Sequence, residues 1–223
     1  VDFRKLNSVT KRVQYPIPAT RALLERLQGY SVFGKLDLKS GFWQLPLAEE
    51  SRPLTAFMTR SGTYEYCRLP FGLSNAPAYF QRVMTEVLQP LLGHVCLVYI
   101  DDIIVYANSE EEFVANLSLV LERLHAHYFR LKMAKCEFGM SELTYLGHTI
   151  SKDGMRVTKE RLDAIRALSA PTSKQSLRTF LGLTGYLRDF VDHYATLAKP
   201  LTTMTCRRAS LSGTRRPRRR LSS

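Results

Sequence analysis

The sequence predicts an α+β fold with a ferredoxin-like βαββαβ core followed by a small helical unit. Between Ser31 and Phe138 the predicted order is strand, helix, strand, strand, helix, strand, which is the split βαβ pattern. After Gly154 the apolar residues take helical spacing. The chain has 223 residues, 45% of them hydrophobic, so it can bury one large core or two smaller ones.

The first elements follow from local signals. Apolar residues at helical spacing predict a helix over 19–28, which ends before Gly29, a common C-terminal cap. The segment SVFGKLDL, residues 31–38, is predicted to be a strand. A hairpin over 55–67, turning at its central Ser-Gly pair, is inserted after this strand.

Two amphipathic helices belong to the core. The helix over 78–92 repeats apolar residues every three or four positions, and the Ser-Asn pair before it can cap it. The helix that runs to His127 begins with Ser109 and, three residues on, Glu112, which is the capping-box pattern. Further elements are predicted as strands at 131–138 and 143–150 and as helices at 158–168 and 173–189, with a break at Pro171.

Two adjacent carboxylates, Asp101 and Asp102, interrupt an apolar, β-branched run. The simplest interpretation is a buried hairpin with the aspartates at its turn. An ionised carboxylate in apolar surroundings costs several kcal/mol unless it is compensated. Asp37 ends the first predicted strand, so this topology can bring three carboxylates together, an arrangement that holds two divalent cations about 4 Å apart. Mg²⁺ is the preferred ion, because it is hard, binds oxygen and is commonly shared with phosphates.

A simpler interpretation stands beside each of these acids. Asp101 and Asp102 are equally compatible with solvated residues of a hairpin turn. Asp37 is equally compatible with a surface acid at the end of a strand. Spacing alone does not show that the three carboxylates are close together.

The charge of the chain is unevenly distributed. Of the formal net charge of +12, seven positive charges are arginines beyond Thr205, where no acid occurs, which leaves +5 for the rest. A mildly basic body suits a polyanionic partner and is equally compatible with an ordinary solvated surface.

Cysteine usage and hydropathy disfavour some classes of protein. Four cysteines lie far apart without a CxxC pair, which argues against a zinc site or a disulfide scaffold and favours a reducing intracellular compartment. No run of 18 apolar residues and no apolar signal core occurs, so neither a membrane span nor a secretory leader is expected. Because the chain begins with VDFRKLN rather than Met, we interpret it as an internal piece of a longer protein.

Four motifs carry a resemblance to a known family. They are LDLKSGFWQL, TAFMTRSGTYEYCRLPFGLSNAPAYFQRVM, LVYIDDIIVYA and LTYLGHTIS, and the similarity extends over about residues 1–203. In order and spacing they resemble the reverse transcriptase domain of Gypsy-class long-terminal-repeat retrotransposons, which is related to retroviral polymerases, and YIDD resembles its YxDD box. Several separated motifs in the correct order are more specific than any one of them.

The resemblance implies a right-hand polymerase palm. Residues 1–154 would form partial fingers and the palm, 155–204 a helical thumb or the start of a connection, and 205–223 a disordered basic tail. The implied activity is that of an RNA-directed DNA polymerase, with Mg²⁺ as a cofactor for which Mn²⁺ can substitute. The implied partners are an RNA or DNA template with its primer, a dNTP, and the protease, RNase H and integrase domains of a Pol polyprotein. The implied location is cytoplasmic, in virus-like particles, without secretion or membrane contact.

The resemblance also implies catalytic residues. Asp37 and Asp101 would be the principal metal ligands, and Asp102 would complete the acidic cluster. Lys135 would be the general acid for the pyrophosphate leaving group, with Lys132 as a rival for that role. A surface position is the simpler interpretation of either lysine.

Two further groups of residues are implied to bind substrates. Phe42 would be the steric gate that excludes a ribose 2′-hydroxyl, although its apolar character is equally that of a core aromatic. The other residues implied on the nucleotide side are Ser40, Gly41, Phe71 and Gly72, and those implied in the primer grip are Leu146, Gly147 and His148.

The sequence departs from the family pattern at both ends. In the family, strands with basic residues that clamp the triphosphate precede VDFRKLN, and an RNase H domain follows where the arginine-rich segment stands here. We interpret that segment as translation in a wrong frame after truncation, in preference to a basic arm that grips phosphates. The competing hypothesis is therefore an inactive, nucleic-acid-binding relic. An RNA-templated RNA polymerase is disfavoured by Phe42 and by LPFGLSNAP.

Overall fold

The computed structural model describes residues 1–16 and 20–205 and divides into two compact units, Val1–Arg156 and a second unit that begins at Val157. The helices of the first unit are α1 (Arg4–Val9), α2 (Thr20–Arg26), α3 (Ala76–Leu88) and α4 (Glu110–Ala126). The strands are β1 (Val32–Asp37), β2 (Phe57–Thr59), β3 (Gly62–Tyr64), β4 (Cys96–Tyr99), β5 (Asp102–Ala107), β6 (Glu137–Met140), β7 (Glu142–Tyr145), β8 (His148–Ser151) and β9 (Gly154–Val157). The helices of the second unit are α5 (Lys159–Arg166), α6 (Lys174–Thr184) and α7 (Tyr194–Thr205).

The central sheet has the strand order β4-β5-β1-β6, and its neighbouring strands are antiparallel. With α3 before β4 and α4 after β5, this is the predicted ferredoxin-like arrangement. The smaller sheets are the β2-β3 hairpin and the β7-β8-β9 sheet.

Strand β5, in the interior of the central sheet, is buried on both faces, whereas the edge strand β6 is exposed. In β5, Ile103 and Val105 face the core that α3 and α4 cover, whereas Ile104 and Tyr106 face the core that includes residues of α2 and β7. Successive side chains of a strand point to opposite faces, so a strand covered on both sides is apolar throughout. This explains the uninterrupted apolar run around the two aspartates.

Several predicted boundaries were wrong. The strand predicted over 131–138 is instead a 3₁₀ turn, Met133–Lys135, followed by β6. The strand predicted over 143–150 is the hairpin of β7 and β8. The helix predicted over 173–189 ends as an α-helix at Thr184 and continues as the 3₁₀ turn Gly185–Leu187.

The capping box at α4 differs from the prediction in one bond. The Glu112 N–H donates to Ser109 Oγ over 3.2 Å, as predicted. The Glu112 carboxylate accepts from the Asn108 N–H over 2.8 Å rather than from the N–H of Ser109. Both bonds still satisfy backbone donors at the helix start.

The predicted basic tail lies outside the described residues, apart from Thr205, which ends α7. Among the helices of 1–16 and 20–205, none combines the length and the hydropathy needed to cross a membrane.

Candidate active site

Strand pairing brings the three predicted carboxylates to one end of the central sheet. Asp37, the last residue of β1, pairs with Asp102, the first residue of β5. Asp102 also pairs with Tyr99, so the β4-β5 hairpin has a two-residue turn formed by Ile100 and Asp101. The prediction that both aspartates lie in the turn was therefore half correct, because Asp102 already belongs to the strand.

Asp101 is the least compensated of the three acids. Its Oδ1 atom is buried and has no hydrogen-bond partner within the described part of the chain. Burial raises the pKa of the Asp101 carboxyl, and the neighbouring charges of Asp102 and Asp37 raise it further. The same oxygen lies 2.8 Å from the position that a Cβ atom on Gly41 would occupy. The absence of a side chain at Gly41 therefore makes the space for this carboxylate.

Two lysines compensate the other two acids. Lys35 Nζ lies 3.2 Å from Asp102 Oδ1, and Lys135 Nζ lies 3.6 Å from Asp37 Oδ2. Lys35 was missed by the sequence analysis, although strand alternation places it two residues before Asp37 and so on the same face.

A backbone connection places Lys135 beside Asp37. The Lys132 N–H donates to the Asp37 carbonyl over 2.8 Å, and Leu38 forms an isolated β-bridge with Leu131. The following 3₁₀ turn then carries Lys135 back toward Asp37. The structure thus places the Lys135 ammonium at the acidic cluster, while Lys132 contributes a backbone bond.

Three of the residues predicted on the nucleotide side follow soon after β1, whereas Phe71 and Gly72 precede α3. Ser40 is exposed with a φ of 52°, and Gly41 opens a 3₁₀ turn that includes Phe42. The Phe42 ring is buried and packs against the rings of Phe71 and Phe80, with centroids 5.0 and 5.2 Å away. Phe71 itself is 49% exposed, so this aromatic group extends from the core to the surface.

The predicted primer-grip residues form the turn between β7 and β8. Tyr145 pairs with His148, and the two residues between them, Leu146 and Gly147, have φ angles of 50° and 80°. A two-residue turn with both φ angles positive matches the twist of a tight hairpin. Burial, followed by the charges of Asp102 and Tyr99, raises the pKa of Tyr145.

Backbone strain coincides with the predicted motifs. Ser40, Ile100 and Leu146 each have a positive φ, and each lies in a different motif. The remaining non-glycine residues with positive φ in the described ranges are Tyr128 and His193. Such conformations cost about 1–3 kcal/mol each and persist only where the surrounding structure holds them.

The donor set fits a divalent cation. Carboxylate oxygens are the ligands that Mg²⁺ prefers, and Asp101 Oδ1 is a buried oxygen that has no hydrogen-bond partner among the described residues. Within residues 1–16 and 20–205, no group of three acidic, histidine or cysteine side chains is already arranged around one point. The other two carboxylates form ion pairs, Asp102 with Lys35 and Asp37 with Lys135.

The profile of the family described as reverse transcriptase (RNA-dependent DNA polymerase) matches residues 1–150. This chain belongs to the reverse transcriptase family. The retrovirus-related Pol polyprotein from transposon 297 of Drosophila melanogaster is 44% identical over 211 residues, which cover 95% of this chain and 20% of the relative. The corresponding polyprotein from transposon gypsy of the same species is 40% identical over 202 residues, covering 91% of this chain and 20% of the relative.

Solved reverse transcriptases share the fold. The foamy viral protease-reverse transcriptase dRH in complex with double-stranded DNA has a TM-score of 0.84 and 28% identity, covering 91% of this chain and 36% of that chain. The foamy viral protease-reverse transcriptase in complex with an RNA/DNA hybrid has a TM-score of 0.78 and 27% identity, covering 92% of this chain and 28% of that chain. These likenesses confirm the predicted α+β polymerase fold. The chain spans about a fifth of the length of the transposon polyproteins.

Proposed function

We propose that this chain is the polymerase part of a retrotransposon reverse transcriptase, an RNA-directed DNA polymerase that transfers a nucleotide from a dNTP to a primer 3′-hydroxyl. The observation that carries the proposal is the pairing of Asp37 with Asp102, with Asp101 in the adjoining turn. Support comes from the transposon Pol polyproteins among the relatives and from the solved complexes of similar enzymes with nucleic acid.

The chain's own residues supply specific roles. Asp37 and Asp101 would hold the metal ions, and Asp102, paired with Lys35, would complete the acidic cluster. When bound, Mg²⁺ supplies positive charge that favours an ionised 3′-hydroxyl and offsets the charge of the leaving pyrophosphate. Lys135 donates a proton to that pyrophosphate, because its ammonium already lies at the edge of the cluster.

The nucleotide is positioned by the segment after β1 and by the aromatic group. The backbone at Ser40 and Gly41 faces the triphosphate, and Phe42 lies under the sugar. Phe71 and Gly72 line the nucleotide and template side, and the turn at Leu146 and Gly147, with His148 after it, holds the primer end.

The larger context is part of the same proposal. The unit Val1–Arg156 corresponds to partial fingers and palm, and the helices that follow correspond to the start of a thumb. The intact element would add protease, RNase H and integrase domains and would act in the cytoplasm, in virus-like particles.

The direct test is primer extension on RNA and DNA templates with Mg²⁺ or Mn²⁺, accompanied by a duplex-binding measurement. We expect dNTP incorporation on both templates, and we expect a chelator to remove it. Duplex binding without any incorporation, with either ion, would contradict the proposal and would identify a binding relic.

Replacement of Lys135 by Ala is expected to lower the rate of nucleotide addition about 10²-fold or more, the range typical of a lost general acid. Single-turnover incorporation measures this rate. Lys132→Ala is the matched control, because the Lys132 backbone bond to Asp37 survives the substitution. Equal losses in the two variants would indicate a general effect of charge and would remove the proton-donor role.

Replacement of Phe42 by Val is expected to let ribonucleotides enter, because the ring that would meet the 2′-hydroxyl is shortened. The ratio of ribonucleotide to deoxynucleotide incorporation should rise at least about tenfold, which corresponds to roughly 1.4 kcal/mol of discrimination. Phe113→Leu is the control for lost packing, because Phe113 is also buried but lies on α4. An unchanged ratio with a lower melting temperature would make Phe42 a core residue only.

A further inference from the structure

The turn that carries Asp101 is tied to helix α3 by one side chain. The Ile100 N–H donates to Gln81 Oε1 over 2.6 Å. The Gln81 amide nitrogen donates to the Val98 carbonyl over 3.3 Å, and it donates to Thr85 Oγ1 over the same distance. Gln81 is 2% exposed, so these bonds form away from water. One buried amide therefore holds the end of β4 and the first turn residue together.

The residue that Gln81 holds is strained. Ile100 has a φ of 54°, in the left-handed region that β-branched residues rarely adopt. Its side chain is partly buried and packs against the core. The Gln81 bond satisfies the Ile100 N–H in that conformation. The direction of the next residue, Asp101, depends directly on the backbone at Ile100.

Helix α3 also contacts the segment after β1, which contains Gly41 and Phe42. Phe80, the residue before Gln81, packs against the Phe42 ring, and its Cζ lies 3.0 Å from the position of a Cβ on Gly41. The same Cβ position lies 2.8 Å from Asp101 Oδ1. Two consecutive residues of α3 thus contact both segments that bound the Asp101 carboxylate.

We propose that Gln81 is a positioning residue that fixes the left-handed Ile100 and thereby directs Asp101 into the acidic cluster. The catalytic part of this proposal rests on the proposed polymerase function, whereas its structural part concerns the turn alone. The alternative is that Gln81 only contributes hydrogen bonds to the stability of the palm.

The test uses Gln81→Met, which keeps the length of the side chain and removes its hydrogen bonds. Three quantities are compared with wild type: the hydrogen-exchange protection of the Ile100 and Asp101 amides, the affinity for Mn²⁺ from electron paramagnetic resonance, and the kcat and KM of primer extension. Val87→Ala is the control for lost stability, because Val87 is 5% exposed and lies on the same helix.

We expect Gln81→Met to lose the hydrogen-exchange protection of the Ile100 amide. It should also weaken Mn²⁺ binding about 10–100-fold, the effect typical of losing a residue that orients a metal ligand. The value of kcat should fall by a similar factor while the KM for dNTP changes little. Val87→Ala should lower the melting temperature and leave all three quantities near wild type.

A double variant tests the cause. Glycine adopts a positive φ without steric cost, so Ile100→Gly should reduce the dependence on Gln81. Adding Gln81→Met to Ile100→Gly should then weaken Mn²⁺ binding much less than it does in wild type. Equal losses in both backgrounds would overturn the claim that Gln81 acts through Ile100.

The outcomes separate this proposal from the proposed function. If Gln81→Met behaves like Val87→Ala in amide exchange and Mn²⁺ affinity, Gln81 is only a core residue and the proposal fails. If wild type extends no primer but Gln81→Met alone loses Mn²⁺ affinity, the polymerase function fails and the positioning role stands. If wild type binds no Mn²⁺, exchange of the Ile100 and Asp101 amides decides the positioning role by itself.

Discussion

Replacement of Asp101 by Asn is expected to abolish primer extension and to raise the melting temperature at neutral pH. Asn keeps the shape of the side chain but loses the charge that binds a metal ion, so the rate should fall on the order of 10⁴-fold, as after removal of other catalytic groups. Single-turnover incorporation on a primed RNA template measures this loss. Near-normal incorporation by the variant would remove Asp101 from the catalytic site.

The expected gain in stability follows from the direction of the pKa shift. Burial, with the charges of Asp102 and Asp37, raises the pKa of Asp101 in the folded chain, so protonation favours the folded state. This contribution is fully present below the pKa of the unfolded chain and is lost as the pH rises through the raised, folded value. Asn imitates the neutral form at every pH. The variant should therefore melt higher than wild type at neutral pH, and the difference should vanish in acid.

Thermal melts from acidic to neutral pH, recorded with a chelator present, test this expectation without a contribution from bound metal. Asp153→Asn is the matched control, because Asp153 is an exposed acid in the turn between β8 and β9. The control should change neither extension nor the pH dependence of melting. A variant at position 101 that melts below wild type at neutral pH would contradict the view that the buried carboxylate is unfavourable there.

Replacement of Gly41 by Ala is expected to lower the rate of primer extension about 10²-fold, although it adds only a methyl group. The new Cβ would lie 2.8 Å from Asp101 Oδ1 and 3.0 Å from Phe80 Cζ, closer than such contacts normally allow. Asp101 or the turn after β1 must move, and a displacement near 1 Å at a reacting centre can cost about 10²-fold in rate. We expect weaker Mn²⁺ binding together with a lower kcat.

The control for this substitution is Gly182→Ala in the middle of α6. Apart from its chain neighbours and the backbone of its own helix, no described residue has an atom within 4 Å of the Cβ position at Gly182, so this variant should keep its extension rate and gain up to about 1 kcal/mol of helix stability. Combining Gly41→Ala with Asp101→Asn should add little to the loss caused by Asp101→Asn alone, because the clash acts through that carboxylate. Wild-type extension by Gly41→Ala would show that the site tolerates the displacement.

The sequence by itself determined the family and the order of the core elements. Both depend on patterns that are local in the chain: apolar alternation in the strands, helical spacing in α3 and α4, and motifs whose order along the chain is itself the signal. The split βαβ order predicted that β5 lies beside β1, whereas the register that pairs Asp37 with Asp102 came from the structure. The roles assigned to the individual site residues remain predictions.

Only the tertiary structure decided how the carboxylates are held. The Asp101 carboxylate occupies space that a side chain at Gly41 would fill, although the two residues are 60 positions apart in the chain. The hydrogen bond from the Ile100 N–H to Gln81 connects a turn to a helix. Neither contact has a periodic signal, because each depends on the packing of two elements rather than on the pattern within one. The segment at 133–135 became a 3₁₀ turn for the same reason, since its backbone is fixed by the Lys132 bond to Asp37 rather than by a neighbouring strand.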